Sequence, residues 1–135
     1  MDCFINLVEE VGKRRLIMRV QETFLERPSG KGRILVIKTY DENLAREAFE
    51  DLDESAVAQV AAALRLEEQF EAQDIPSPAS ADFHGFVWET LADEAREEGQ
   101  IKSFFVVYRE LEGSPSKSLY VSPDWPSAEA FTQRL

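Results

Sequence analysis

The chain has 135 residues, of which 44% are hydrophobic and 30% charged, and its 26 Asp and Glu residues outnumber 15 Lys and Arg residues to give a net charge of −11. This length and composition predict one globular domain, residues 1–135, that builds its own core without disulfides or structural metals. The strong negative charge argues against nucleic acid or an anionic membrane as a partner, and no apolar run in the sequence is long enough to cross a bilayer.

Cys3 is the only cysteine, so the chain can form no internal disulfide and no thiolate cage for a metal ion. The first residues lack a basic stretch followed by a long apolar one, which argues against a secretory signal. We therefore expect a cytoplasmic protein, and we predict no cofactor.

The negative charge is concentrated in the middle of the chain. Residues 1–40 carry eight basic and five acidic side chains, residues 41–100 carry three and seventeen, and residues 101–135 carry four of each. The pattern fits either a surface that attracts a basic protein partner or an adaptation to a salty or crowded cytosol.

The first forty residues predict a short helix followed by a β-hairpin. Apolar residues recur at three- and four-residue spacing over residues 4–11, which favours a helix ended by Gly12, although a strand fits the same stretch. Alternating polarity over residues 15–20 predicts a strand. The turn formers of residues 27–33 and the β-branched run of residues 34–37 complete a hairpin.

The acidic middle predicts helices. Asp41 can cap the first, and either Asp53 or Ser55 can cap a second that continues to about Ala72. The second helix has a wide apolar and alanine-rich surface, which predicts packing on more than one side. After a break at residues 74–79, where two prolines exclude a helix interior, the spacing predicts a further helix that Ser80 caps and Gly99 ends.

The last third predicts a second hairpin. Residues 101–111 form the clearest strand, apolar on both faces, and residues 119–121 the returning one. A short helix follows Pro126. We therefore predict an α+β fold, with a mainly antiparallel sheet of about four strands in two hairpins and helices packed on one face. The other face would then need cover, which favours a homodimer.

The hairpin turn superficially resembles a phosphate-binding loop. However, a strand follows it, and Lys31 precedes Gly32 rather than a Ser or Thr. We interpret the segment as a mobile hairpin tip. Lys31 and Arg33 there could form a basic finger that contacts a protein partner.

His84 is the only histidine, which excludes paired-histidine metal sites and two-histidine chemistry within one chain. His84 and Trp88 face each other on the predicted helix, whereas Asp82 does not face His84. A general base would need Asp82, Asp74 or a distant acid to fold over it. We favour a surface or interface histidine stacked on Trp88, and leave open a ligand-binding or catalytic pocket there.

Carboxylates form dense runs at residues 47–54 and 93–98, but neither has the glycine placement of a calcium loop. Glu94 and Glu98 could coordinate a metal or act as paired acids, yet like charges at this spacing usually belong to a solvated helix face. We therefore predict no metal site. Glu94 and Glu98, together with Glu97, also fit an alternative function, an acidic decoy that mimics nucleic acid and occupies a basic protein groove.

Aromatic residues are the remaining candidates for a protein contact. Trp125 lies beside prolines, a context typical of an interaction anchor or of a staple before a helix. Trp88 and Phe70 would contribute if they are exposed. No stretch resembles a protein family closely enough to carry a function over. We therefore predict an adaptor or regulatory module without catalytic activity, with a small-molecule binder or enzyme near His84 and the acidic decoy as alternatives.

Overall fold

The computed structural model describes residues 21–70, 75–99, 101–113 and 116–135. The helix predicted over residues 4–12 and the strand predicted over residues 15–20 lie outside these ranges, as does Cys3. The described elements follow one another in this order: β1 (Gln21–Ser29), β2 (Gly32–Thr39), α1 (Glu42–Glu50), α2 (Glu54–Leu64), α3 (Leu66–Gln69), α4 (Ala81–Glu94), β3 (Arg96–Glu98), β4 (Ile101–Leu111), β5 (Lys117–Ser122) and α5 (Trp125–Gln133).

The described strands form one antiparallel sheet with β4 at its centre. β2 and β5 flank β4 on opposite edges, because both pair with residues 105–109 of β4, and β3 pairs with residues 101–103. β1 pairs with β2 and lies at one end of the described sheet. β1–β2 and β4–β5 are hairpins, so the predicted α+β fold with a mainly antiparallel sheet is confirmed. β1 itself covers residues that follow the strand predicted over residues 15–20 and reach into the predicted turn.

Helices α1, α2 and α4 form the predicted helical layer, on the sheet face that carries Phe104 and Val106. The Trp88 ring of α4 stacks on Phe104 with 5.6 Å between ring centroids. Ser118 Oγ of β5 donates a hydrogen bond to the Ala48 carbonyl of α1 at 2.8 Å, and α2 packs against α4 and β5. Phe104 and Val106 are fully buried in this layer.

Helix α5 lies on the opposite face, which carries Phe105 and Val107, since successive residues of a strand point to opposite sides of the sheet. Tyr120 and Phe131 stack with 4.4 Å between centroids, and Trp125 lies 6.0 Å from Phe105. Phe105 and Val107 are accordingly buried within the chain. The helical layer and α5 together explain why β4 is apolar on both faces, without cover from a second chain.

Aspartates begin the first two helices at the positions that the sequence predicts. Asp41 Oδ1 accepts hydrogen bonds from two backbone N–H groups of the first turn of α1, at 3.0 and 3.2 Å. Asp53, rather than Ser55, caps α2 by accepting from the Ala56 N–H at 2.8 Å. These bonds satisfy donors that the first turn of a helix leaves without partners.

Two helix ends differ from the prediction. α2 stops at Leu64, because Arg65 takes a left-handed conformation with φ of 59° before the short α3 begins. α4 stops at Glu94 rather than near Gly99, because residues 96–98 pair with residues 101–103 of β4. Sheet hydrogen bonds thus replace the last predicted turn of this helix.

The β1–β2 turn is tighter than its composition suggests. β1 continues to Ser29, so only Gly30 and Lys31 connect the strands, and Gly30 adopts the positive φ of 58° that such a tight connection requires. The extended turn predicted over residues 27–33 is therefore largely strand. None of the described helices is long and apolar enough to cross a membrane.

Candidate functional site

Three aromatic side chains meet on the α5 side of the sheet, and we call Phe24, Phe105 and Trp125 the aromatic patch. The Phe24 ring meets Phe105 edge-on at 5.1 Å and lies tilted against Trp125 at 4.7 Å between centroids. Phe105 is buried and Trp125 half-buried, whereas Phe24 is 43% exposed. The patch thus presents a large apolar ring to solvent on a floor of two others.

An irregularity in β1 places Phe24 there. The pairing of β1 with β2 shifts between Thr23 and Leu25, which leaves Phe24 as an extra residue without a partner on β2. Such a bulge redirects a side chain that regular alternation would assign differently. Sequence reasoning missed Phe24, since no turn residue or break in polarity marks the bulge.

The chain also fixes Trp125 firmly. Ser122 Oγ donates to the Asp124 carbonyl at 2.7 Å and accepts from the Asp124 N–H at 3.1 Å, which holds the corner between β5 and α5. Asp124 Oδ1 then caps α5 by accepting from the Ser127 N–H at 2.9 Å. Trp125 occupies the first helical position, so its backbone is set by the cap and its ring by the patch.

A cation borders the patch. Lys38 Nζ lies 5.9 Å from the Phe105 ring centroid and 5.5 Å from that of Tyr40. Glu22 pairs with Lys38 in the β1–β2 register, so opposite charges lie side by side at the rim. An apolar centre with a polar rim is the usual anatomy of a protein contact surface.

The hairpin tip is less basic than predicted. Lys31 is exposed in the turn, but Arg33 forms ion pairs with Glu26 and Glu110. Hydrogen bonds that Arg33 donates to Glu110 and Glu26 raise the pKa of Arg33. The bond from Arg33, with a weaker one from Ser116, lowers the pKa of Glu110. The charge of Arg33 is therefore compensated within the sheet, and Lys31 remains as the exposed cation of the tip.

His84 lies at a surface depression of about 350 Å³ between α1 and α4, which we call the α1–α4 depression. His84 Nε2 donates a hydrogen bond to the Phe49 carbonyl at 3.2 Å, and its ring meets the Phe49 ring edge-on at 4.7 Å. Trp88 lines the same depression, as the predicted shared helix face implies, but it is only 8% exposed. Trp88 therefore lacks the exposure that a role in a protein contact requires.

The hydrogen bond of His84 bears on its chemistry. A histidine that acts as a general base is usually oriented by a carboxylate, whereas His84 bonds to the last turn of α1. Glu50 lines the depression, but its carboxylate faces Arg46 at 3.7 Å. Among the described residues, no group of three or more His, Cys, Asp or Glu side chains could hold a metal ion. Asp74, one of the acids considered for His84, lies outside the described ranges.

Phe70 lies apart from the other candidates, half-buried and edge-on to Phe86 with 5.3 Å between centroids. The six residues predicted for a contact surface are thus distributed over the molecule. Trp125 joins the aromatic patch, Trp88 and His84 share the α1–α4 depression, and Lys31 and Arg33 mark the hairpin tip.

The helical layer carries the acidic surface. Within the described helices, Glu50 and Glu68 form ion pairs, with Arg46 and Arg65 at 3.7 and 2.9 Å. Most other carboxylates of the layer are exposed and without a basic partner among the described residues: Glu42, Glu47, Glu54, Glu67, Asp82, Glu89, Asp93 and Glu94. The negative field therefore belongs to the face of the molecule opposite α5.

Comparison with known proteins adds no further constraint: no protein-family model, no curated protein and no solved structure matches the chain.

Proposed function

We propose that the chain is a non-catalytic adaptor or regulatory module, which binds a protein partner through the aromatic patch. The observation that carries this proposal is the 43% exposure of Phe24 on a floor formed by Phe105 and Trp125. Burial of this exposed ring against a partner would stabilise the complex by roughly 25 cal/mol per Å² of apolar surface removed from water.

The rigidity of the patch favours binding. Trp125 is held by the capped start of α5, and Phe24 is held by two ring contacts. Side chains that are already ordered lose little conformational entropy on association, and aromatic anchors of this kind dominate many protein interfaces. The nearby pair of Glu22 and Lys38 would supply the polar rim.

Charge would select and guide the partner. The acidic helical layer creates a long-range negative field, which attracts a basic protein and raises its association rate. The patch then provides the short-range contact. Exposed carboxylates and a single cysteine are compatible with the cytoplasm, where we place this module.

A paired pull-down tests the proposal. Tagged wild type, Phe24→Ala and Leu111→Ala are used as baits in lysate of the native organism. Leu111 is the matched control, because it is 42% exposed but belongs to no ring cluster. We expect a stoichiometric protein that wild type and Leu111→Ala retain and Phe24→Ala loses, and whose capture weakens at high salt.

Other results would redirect the proposal. Equal capture by Phe24→Ala and wild type would exclude the patch as the contact surface. Loss of capture in a variant with Glu94→Gln and Glu97→Gln, with Phe24→Ala unaffected, would favour the acidic decoy.

We also propose a homodimer, since the patch could pair with its own copy about a twofold axis. Light scattering on the purified chain measures its mass directly. A dimer that Phe24→Ala converts to monomer would support pairing through the patch. A monomer at all concentrations would remove the dimer and leave binding to a different protein.

A second candidate is a small-molecule site in the α1–α4 depression, favoured by its volume of about 350 Å³ and by the aromatic walls of Phe49 and Trp88. A thermal-shift screen compares wild type with His84→Ala. A compound that stabilises wild type but not the folded variant would support this site.

A further inference from the structure

We propose that the chain holds a small organic anion, with an acidic head group and an apolar body, beside strand β5. The site is a depression of about 330 Å³, which we call the β5 depression. Cations and apolar side chains meet there: its walls include Arg109, Lys117, Leu119, Phe131 and Leu135. This site is separate from the aromatic patch and does not depend on the proposed function.

Two positive charges lie side by side in this depression. Arg109 of β4 and Lys117 of β5 are direct partners in the strand register, so their side chains stand on the same face of the sheet. Like charges in this position repel each other and destabilise the pairing. Neither side chain has an ion-pair or hydrogen-bond partner among the described residues.

Acidic side chains outnumber basic ones in this chain, and three described arginines form ion pairs: Arg33 with Glu26 and Glu110, Arg46 with Glu50, and Arg65 with Glu68. No such pair forms with Arg109 or Lys117 among the described residues. The acid that lines the β5 depression is Asp53, whose Oδ1 is engaged in capping α2. An anion placed between Arg109 and Lys117 would relieve their repulsion and satisfy both donors.

The remaining walls define the rest of the ligand. Phe131 is buried and Leu135 is 47% exposed, and with Leu119 they form an apolar margin beside the two cations. Small-molecule sites have volumes of roughly 300–1,000 Å³, so the β5 depression lies at the small end of the range. These features fit a short aliphatic or aromatic carboxylate better than inorganic phosphate or a large cofactor.

Calorimetric titration of the full chain with octanoate tests the site. We expect saturable binding with one molecule per chain and a Kd below about 1 mM. Arg109→Gln and Lys117→Gln should each weaken binding about fivefold, because each removes one charged donor. Lys31→Gln is the matched control, since Lys31 is an exposed cation that does not line the β5 depression, and octanoate should bind this variant as tightly as it binds wild type.

A neutral analogue separates charge from hydrophobicity. 1-Octanol has the same chain length without the carboxylate, and we expect it to bind at least about fivefold more weakly than octanoate. Equal affinity for the two compounds would overturn the anion site, as would unchanged octanoate binding in both glutamine variants. Absence of saturation at about 10 mM octanoate would also overturn it. Lys117 is exposed, so its variant keeps the test valid should Arg109→Gln unfold.

Discussion

Tyr120 is a buried tyrosine whose ionisation links stability to pH. Its ring stacks on Phe131, and burial raises the pKa of Tyr120 to about 12, because the phenolate would be poorly solvated there. Arg134 opposes this shift and Asp124 adds to it. The folded chain therefore keeps the phenol protonated at pH values where an exposed tyrosine, with a pKa near 10, has begun to ionise.

This difference predicts an alkaline loss of stability. Between about pH 10 and 12 the unfolded chain releases a proton that the folded chain keeps, so the free energy of unfolding falls as pH rises through this window. The whole loss is on the order of 2–3 kcal/mol, and it is absent below pH 10. Tyr120→Phe has no phenol to ionise, so urea unfolding should show a flatter alkaline branch.

Tyr108→Phe is the control for this experiment. Burial also raises the pKa of Tyr108, and Asp51 and Glu47 add to the shift, but Tyr108 is less buried than Tyr120. The slope due to Tyr120 should persist in Tyr108→Phe. An alkaline branch of Tyr120→Phe that matches wild type would contradict the assignment.

At single positions, sequence reasoning succeeds where a residue acts on its own neighbours. Asp41 and Asp53 cap helices as predicted, because a cap depends on only three or four consecutive residues. The exposure of Phe24 and the compensated charge of Arg33 do not follow from their sequence neighbours. The exposure of Phe24 depends on a bulge, and the charge of Arg33 is compensated by Glu110, far away in sequence.

Elements show the same division. The β4 strand was predicted with its observed bounds, because residues 104–108 form a continuous run of apolar and aromatic side chains. The end of α4 was not predicted correctly, because the pairing of β3 with β4 depends on backbone hydrogen bonds rather than on side-chain pattern. Apolarity on both faces of β4 is apparent from the sequence, but the identity of the element that covers the second face, α5, depends on tertiary packing.

Two glycines in different elements predict opposite responses to the same substitution. At Gly32, the first residue of β2, an added Cβ would lie 1.9 Å from the carbonyl oxygen of Glu110. Backbone cannot yield cheaply, so Gly32→Ala should lower the free energy of unfolding by about 1–3 kcal/mol. At Gly85, inside α4, a Cβ would meet nothing within 4 Å. Gly85→Ala should therefore raise stability by about 0.5–1 kcal/mol.

Chemical denaturation of the two variants, compared with wild type, checks both signs. Each substitution adds one methyl group to one glycine, so each serves as the control for the other. A stable Gly32→Ala protein would mean that β2 approaches β4 less closely than observed. A destabilised Gly85→Ala protein would place an unseen contact over the α1–α4 depression.

At the scale of the whole molecule, the fold separates two kinds of surface. The helical layer holds most of the unpaired carboxylates on one side of the sheet, and α5 with the aromatic patch lies on the other. The charge count of residues 41–100 predicted an acidic surface but not its position. Location requires the strand order, which a single sequence does not contain.

This separation predicts how salt affects stability. Carboxylates such as Glu89 and Asp93, four residues apart on α4 and both exposed, repel each other in the folded state. Raising NaCl from about 0.01 to 0.1 M shortens the Debye length from about 30 to 10 Å and screens this repulsion. Exposed pairs such as Arg46–Glu50 weaken as well, but each contributes at most about 1 kcal/mol. With a net charge of −11, repulsion should dominate, so the melting temperature should rise with salt.

A matched variant shows whether the helical layer causes the effect. Glu89→Gln combined with Asp93→Asn removes one repulsive pair, so this variant should be more stable than wild type at low salt and should respond less to NaCl. Glu129→Gln, on the exposed side of α5, removes one negative charge away from the layer and should keep most of the response. A melting temperature that falls with NaCl would mean that attractive pairs outweigh repulsion. The acidic surface would then contribute net stability to the fold, and its long-range field would be too well compensated to guide a basic partner.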